Sequence, residues 1–291
     1  MNLRMVRIRR ARCRIRAQAF GYTRPVSVPR LPVRLPLLFI LAAALAATPA
    51  SAIQIRADRD DEEYRELATR YASAVALPGG GAGVLIAPRW VLTIASRGQA
   101  LASGASIPAI PIRGKPHAVL RIWIHPDAAK GLGADVALAF LAEAVSTVEP
   151  TPIYREADES GQAIRMVGFG PSGAIGKPPV ASDGRARAAI NTVDRVEPLV
   201  LGMQLKGPDD ASDLQGAETS ADSGGPAFIE VARRPYVAGL ILPPARTGAS
   251  AVGDWTRLVR VSAFGAWIDE VMGRTALEEA AKPMPPAPAK R

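Results

Sequence analysis

Gly83-Val84-Leu85-Ile86-Ala87-Pro88-Arg89-Trp90-Val91-Leu92-Thr93 holds two short apolar runs parted by a Pro-Arg pair. Runs this short, rich in Val, Ile, Leu and Trp and closed by a turn-former, predict consecutive strands; a helix shows a longer stretch at helical period. The same pattern recurs at 74–77, 119–124, 136–141, 164–168, 188–193, 200–205, 226–229, 237–242 and 258–261. Eleven such runs with few helical stretches between them predict an all-β barrel or sandwich and argue against alternating βαβ units.

Two helices are expected outside that region. Tyr64, Leu67, Ala68 and Tyr71 fall at helical spacing after a charged stretch, which predicts a short surface helix. Residues 263–272 place Phe264, Trp267, Ile268 and Val271 on one face, the pattern of an amphipathic helix. The acid-rich stretch 141–161 is a candidate linker between two halves. Residues 275–291, rich in Ala, Pro and Lys, are expected to form a disordered tail.

The formal charge of +9 suggests an anionic partner until its distribution is examined. Residues 1–52 carry ten arginines and no acid, which leaves the remainder with 26 basic residues against 27 acidic ones. That body is nearly neutral and has no basic stripe, so nucleic acid is not an expected partner. The arginine-rich leader runs into the apolar stretch 35–47 and then Ala50-Ser51-Ala52, the layout of a signal peptide spanning 1–52. An uncleaved anchor is the alternative, though the apolar core is short for a membrane span. Secretion or export to a periplasm is the expected localisation, with no stable membrane span after cleavage. The single cysteine, Cys13, lies in the leader, so the body is expected to hold no disulfide and no thiolate metal site. With only His117 and His125 as histidines, a histidine-rich metal centre is not expected, and nothing points to a cofactor.

Ala221-Asp222-Ser223-Gly224-Gly225-Pro226 carries the strongest chemical signal. A serine nucleophile sits on a tight turn whose backbone N–H groups can face a developing oxyanion, and flanking glycines permit that turn. Taken alone the stretch is equally readable as a loop. Its surroundings are more specific. The 83–93 segment, Asp135-Val136-Ala137-Leu138, Val167-Gly168-Phe169-Gly170, Val237-Ala238-Gly239-Leu240 and the run from Arg260 through Trp267-Ile268 together resemble the trypsin/chymotrypsin-like serine protease family, in order and spacing, over most of 72–272.

This resemblance implies two six-stranded antiparallel β-barrels with a C-terminal helix and an active site in the cleft between them. The domain would span 53–274, with the barrels at roughly 53–160 and 161–274. It assigns Ser223 as nucleophile, Asp135 as the acid that orients the catalytic histidine, and the N–H groups of Ala221 and Ser223 as the oxyanion hole. It also implies that cleavage after Ala52 frees Ile53 as an N-terminus whose ammonium pairs with Asp222. Ala217 occupies the substrate-pocket position where trypsin-type specificity has an acid, and the neighbouring Glu218 is expected to be exposed, with a pocket acid as the alternative.

The chain departs from the family at one decisive point. The histidine expected after Thr93-Ile94-Ala95 is replaced by Ser96, followed by Arg97 where the family has a cysteine, and no histidine lies within twenty residues of it. His125 belongs to Ile124-His125-Pro126, whose role in the family is structural, and His117 precedes an expected strand. Serine's hydroxyl is a weak nucleophile unless a base takes its proton, and the Ser96 side chain has no group that titrates in the useful range. Ala221 also replaces the family's usual glycine, adding a Cβ where a peptide must turn inward. The expected function is therefore an impaired, protease-like domain that binds peptide or protein in its cleft, with a slow Ser223-dependent endopeptidase as the alternative.

Overall fold

The computed structural model describes residues 53–281, apart from 105–106, 132, 171, 179–182 and 247. The expected leader at 1–52 and the end of the expected tail, 282–291, lie outside the described residues. The chain enters through β1 (Gln54–Ile55) and α1 (Asp61–Thr69). The first sheet then follows as β2 (Ala74–Ala76), β3 (Ala82–Ala87), β4 (Trp90–Thr93), β5 (Ala109–Ile112), β6 (Lys115–Ile124) and β7 (Ala137–Leu141), with α2 (Ala95–Ala102) after β4.

That sheet runs β2-β3-β4-β7-β6-β5 with every pair antiparallel. Its end strands β2 and β5 meet, so six strands form a nearly closed barrel. Strand alternation divides its apolar residues between two cores. Leu85, Val91, Ala139 and Leu141 join one core with Val75, Ile110 and Val119. Val84, Trp90, Leu92, Leu138 and Phe140 face the other way, into a cluster shared with the second half of the chain.

The second half contributes β8 (Ala163–Gly168), β9 (Gly173–Ala174), β10 (Arg187–Thr192), β11 (Arg195–Val196), β12 (Val200–Gln204), β13 (Gly216–Ala217), β14 (Pro226–Val231), β15 (Arg234–Ile241), β16 (Trp255–Arg260) and α3 (Gly265–Ala280). Seven of these strands form a half-barrel in the order β10-β8-β14-β15-β16-β12-β11. The fold is thus all-β in two barrel-like halves with a C-terminal helix, the second half being more open than six closed strands would be. A small third sheet, β13-β1-β9, seats the start of the described chain: Gln54 lies opposite Ala217 in antiparallel register and opposite Gly173 in parallel register.

The shared core holds the halves together. Tyr71, just after α1, stacks on Phe228 of β14 with ring centroids 4.7 Å apart, a geometry worth about 0.5–1.5 kcal/mol beyond the area it buries. Ile268 and Val271 of α3 enter the same cluster. The helix does not stop at 272: it runs to Ala280, and Thr275, expected in the tail, is buried with its hydroxyl donating to the Val271 carbonyl at 2.8 Å. After Leu141, the last residue of β7, the candidate linker is strand-free except for a single bridge, Ile153 to Val237, but it is anchored, with the Thr151 N–H on the Leu85 carbonyl and the Tyr154 N–H on the Val237 carbonyl. The Arg187 side chain, nearly buried on β10, clamps α1 by pairing with Asp61 at the helix start and with Asp183. No helix among the described residues is long and apolar enough to cross a membrane.

Candidate functional site

Register brings the first two site residues together. Thr93 at the end of β4 lies opposite Ala137 at the start of β7, so the residues after the one and before the other leave the sheet at the same edge. There the Ser96 N–H donates to Asp135 Oδ1 at 3.2 Å. Asp135 thereby serves an N–H of the first turn of α2, where an acceptor satisfies an otherwise unpaired helix donor. Ser96 itself is exposed.

Ser223 reaches this edge from the second half. Its carbonyl accepts from the Ala82 N–H at 3.0 Å, and the Thr93 hydroxyl donates to the Ala82 carbonyl at 2.7 Å. Gly224 has φ of 84°, and a Cβ there would overlap the Thr93 hydroxyl and stand 2.5 Å from the Ala82 carbonyl. The turn therefore requires glycine for conformation and for space. The structure places Ser223, Asp135 and Ser96 along one edge, joined through β3, β4 and β7.

The turn at Ser223 is closed. Residues Ser220–Asp222 form a 3₁₀ turn, and the Ser223 hydroxyl donates to the Ser220 carbonyl at 2.7 Å. In a trans peptide the carbonyl and the N–H point in opposite directions. With the Ser220 carbonyl turned toward Ser223, the Ala221 N–H of that peptide points away, and the pair of donors expected from Ala221 and Ser223 is not assembled. Ser223 is 1% exposed.

Asp222 is wholly buried beneath this turn. Its Oδ2 accepts from the Thr219 N–H and hydroxyl, at 2.9 and 2.8 Å, while the buried Oδ1 has no partner at hydrogen-bonding geometry among the described residues. Burial pushes this carboxyl up to about 7, the hydrogen bonds from Thr219 and the approach of the Gly170 backbone N–H oppose the shift, and the nearby Glu218 charge adds to it. Ile53 is also wholly buried, its carbonyl accepting from the Ser172 hydroxyl at 3.1 Å. Its Cγ2 lies against Gly216, where an added Cβ would stand only 2.8 Å away.

Glu218 is not exposed, contrary to expectation. It is wholly buried beside Ala217, with Arg246 Nη1 on Oε1 at 2.9 Å and the Thr256 hydroxyl on Oε2. Burial raises its pKa, against the lowering by Arg246 and Thr256. The physical reason is a partner 28 residues away, on a loop whose sequence has no periodicity to announce it. A buried carboxylate of this kind persists because it is paired and hydrogen-bonded.

Neither histidine enters the site. His125 accepts from the Asp127 N–H at Nδ1, and its ring meets Phe264 and Trp267 edge-on at 5.1 Å each. His117 is buried opposite Ile110 on β6. The residue that sequence reasoning overlooked is Arg97, whose Nη2 donates to the Ser220 carbonyl at 3.2 Å. Its adjacency to Ser96 was the only available signal. Among the described residues no group of three or more His, Cys, Asp or Glu side chains is arranged to hold a metal ion. No family model matches the chain, and no curated protein matches it.

The buried carboxyls generate a pH dependence of defined sign. An unfolded Asp titrates near 3.8, whereas folded Asp222 keeps its proton to about 7. The folded state therefore binds more protons between those values, and stability falls as pH rises through that window. Glu218, also raised, acts in the same direction. Asp61, Asp183 and Glu159 are lowered, so their contributions vanish only at more acid pH. In a chain that retains Ala52, where no ammonium faces Asp222, denaturant midpoints of Asp222→Asn should decline less steeply than those of the parent between about pH 5 and about pH 7; equal slopes would contradict this assignment.

Proposed function

We propose that the chain is an exported, trypsin-like domain that binds an extended segment of peptide or protein in the cleft beside Ser223 and hydrolyses it poorly or not at all. The observation that carries the reading is the proton position at Ser223: its hydroxyl donates to the amide carbonyl of Ser220, and the group beside Asp135 is a backbone N–H. An amide carbonyl accepts a hydrogen bond but is not a base at neutral pH. Imidazole in a working site takes the serine's proton and later returns it to the leaving amine. Ser96 offers neither step, and removal of such a base in another serine protease lowers turnover on the order of 10⁶-fold. Peptide binding rests on the family resemblance, which implies a cleft beside Ser223 whose edge can add backbone hydrogen bonds to an extended ligand.

The reading assigns Asp135 to holding the first turn of α2, Ser223 to the vestigial nucleophile, and Asp222 to the floor of the turn. It also assigns Ile53 a role. The unpartnered Oδ1 of Asp222 suits a cation, and cleavage after Ala52 would supply one as the Ile53 ammonium.

Two experiments test this. Cleavage of unfolded protein substrates by the purified chain should be no faster than by its Ser223→Ala variant; a clear excess over that variant would move the reading to a slow serine endopeptidase. A chain beginning at Ile53 should differ from one that retains Ala52. If the ammonium pairs with Asp222, its folded pKa rises above the usual value near 8. The added stability is present below that value and is lost as pH rises through the folded pKa. Identical alkaline profiles for the two chains, or a loss that persists in Asp222→Asn, would eliminate the pairing.

A further inference from the structure

Arg97 lies in the first turn of α2, one residue after Ser96, and its side chain crosses to the turn that carries Ser223. Its stem fills a notch made by the absence of side chains. A Cβ on Gly81 would stand 2.5 Å from Arg97 Nε, and one on Gly224 would stand 3.4 Å from its Cγ. Beyond the notch, Nη2 reaches the Ser220 carbonyl, the same oxygen that accepts from Ser223. The two donors share one acceptor at 3.2 and 2.7 Å and so lie within about 6 Å of each other. Among the described residues Arg97 forms no ion pair, unlike the guanidiniums of Arg187, Arg246 and Arg260, each of which has a carboxylate.

This is a charged planar donor facing a neutral oxygen, with a hydroxyl donor beside it. A carboxylate offers the same two donors an anionic acceptor: the neutral Ser223 bond becomes a charge-assisted one, about twice as strong as a neutral bond, and Arg97 gains an opposite charge with which its planar fork can pair. The displaced Ser220 carbonyl can turn outward, which brings the Ala221 N–H of the same peptide inward as a further donor. We propose that the point where Arg97 Nη2 and the Ser223 hydroxyl converge on the Ser220 carbonyl is a carboxylate-binding site, kept shut by that carbonyl. Its occupant is the carboxylate of a peptide, from a free C-terminus or an acidic side chain. The choice of a peptide as occupant rests on the function proposed above; the carboxylate chemistry does not need Ser223 to react.

The full chain, labelled with ¹⁵N, is titrated with acetyl-Ala-Ala-Ala as the free acid, with the same peptide as its C-terminal amide, and with acetyl-Ala-Glu-Ala amide. The readout is the amide signals of Ala221 and Gly224 and the side-chain Nε–H of Arg97. The free acid should shift these signals and bind at least about tenfold more tightly than its amide, the lower end of the range for losing hydrogen bonds to a charged group. The Glu peptide tells the sources apart: binding like the acid makes any carboxylate sufficient, and binding like the amide restricts the site to a C-terminus. Arg97→Gln should abolish the preference for acid over amide. Should that variant not fold, Arg97→Lys keeps the charge without the planar fork and should reduce the preference. Peptides that bind with no preference for a carboxylate, or a preference unchanged by these variants, overturn the site while leaving the peptide cleft standing. No binding of any of the three peptides overturns both.

Discussion

The hydrogen bond from the Ala82 N–H to the Ser223 carbonyl ties the Ser223 turn to the first barrel, and the geometry of the candidate site depends on it. The Thr93 hydroxyl braces the same residue of β3, and β4 carries the chain directly into Ser96 and Arg97. Because β4 also fixes the register of β7, Asp135 is delivered to the same edge. Three segments distant in sequence therefore meet through backbone hydrogen bonds and strand register, without needing side chains to find one another. Glycine at 224 is a condition of that meeting, since the approach leaves no space for a Cβ.

The closed state of the turn has a coherent electrostatic logic. A carbonyl directed at Ser223 satisfies a hydroxyl and a guanidinium together, while beneath it a buried carboxyl is left with one oxygen unpartnered. Burial raises the pKa of both Asp222 and Glu218, and the Glu218 charge adds to the shift at Asp222. Arg246 and Thr256 contain the second acid, and a cation at Oδ1 would contain the first. The site is thus organised around which oxygen receives which donor, and a change of partner at Asp222 or at the Ser220 carbonyl alters the turn as a unit.

Most of the fold was legible from the sequence because long strands announce themselves. All eleven apolar runs are strands, and 90–93 has the bounds observed for β4. The strands that escaped notice are β1, β9, β11 and β13, each two residues long and too short to show a period, and β5, whose Ala109-Ile110-Pro111-Ile112 contains a proline tolerated at the end of a sheet. Helix α2 was hidden because Ala-Ser-Arg-Gly-Gln-Ala has no apolar periodicity, and its start is served by Asp135, 39 residues away in sequence. The same distance effect explains the site. Ser223, Asp135 and Ser96 were singled out as candidates from local motifs, whereas the burial of Glu218 depends on Arg246, and the reach of Arg97 depends on two glycines from opposite halves of the chain.

The central claim is that Ser223 lacks a proton acceptor and stands in a closed turn. The most direct measurement is covalent labelling by a fluorophosphonate, which reports an activated serine without requiring a known substrate. The parent chain should label no more than Ser223→Ala, and Ser96→His in a chain beginning at Ile53 should gain Ser223-dependent labelling. Labelling of Ser223 in the parent, without any imidazole beside Asp135, would contradict the account.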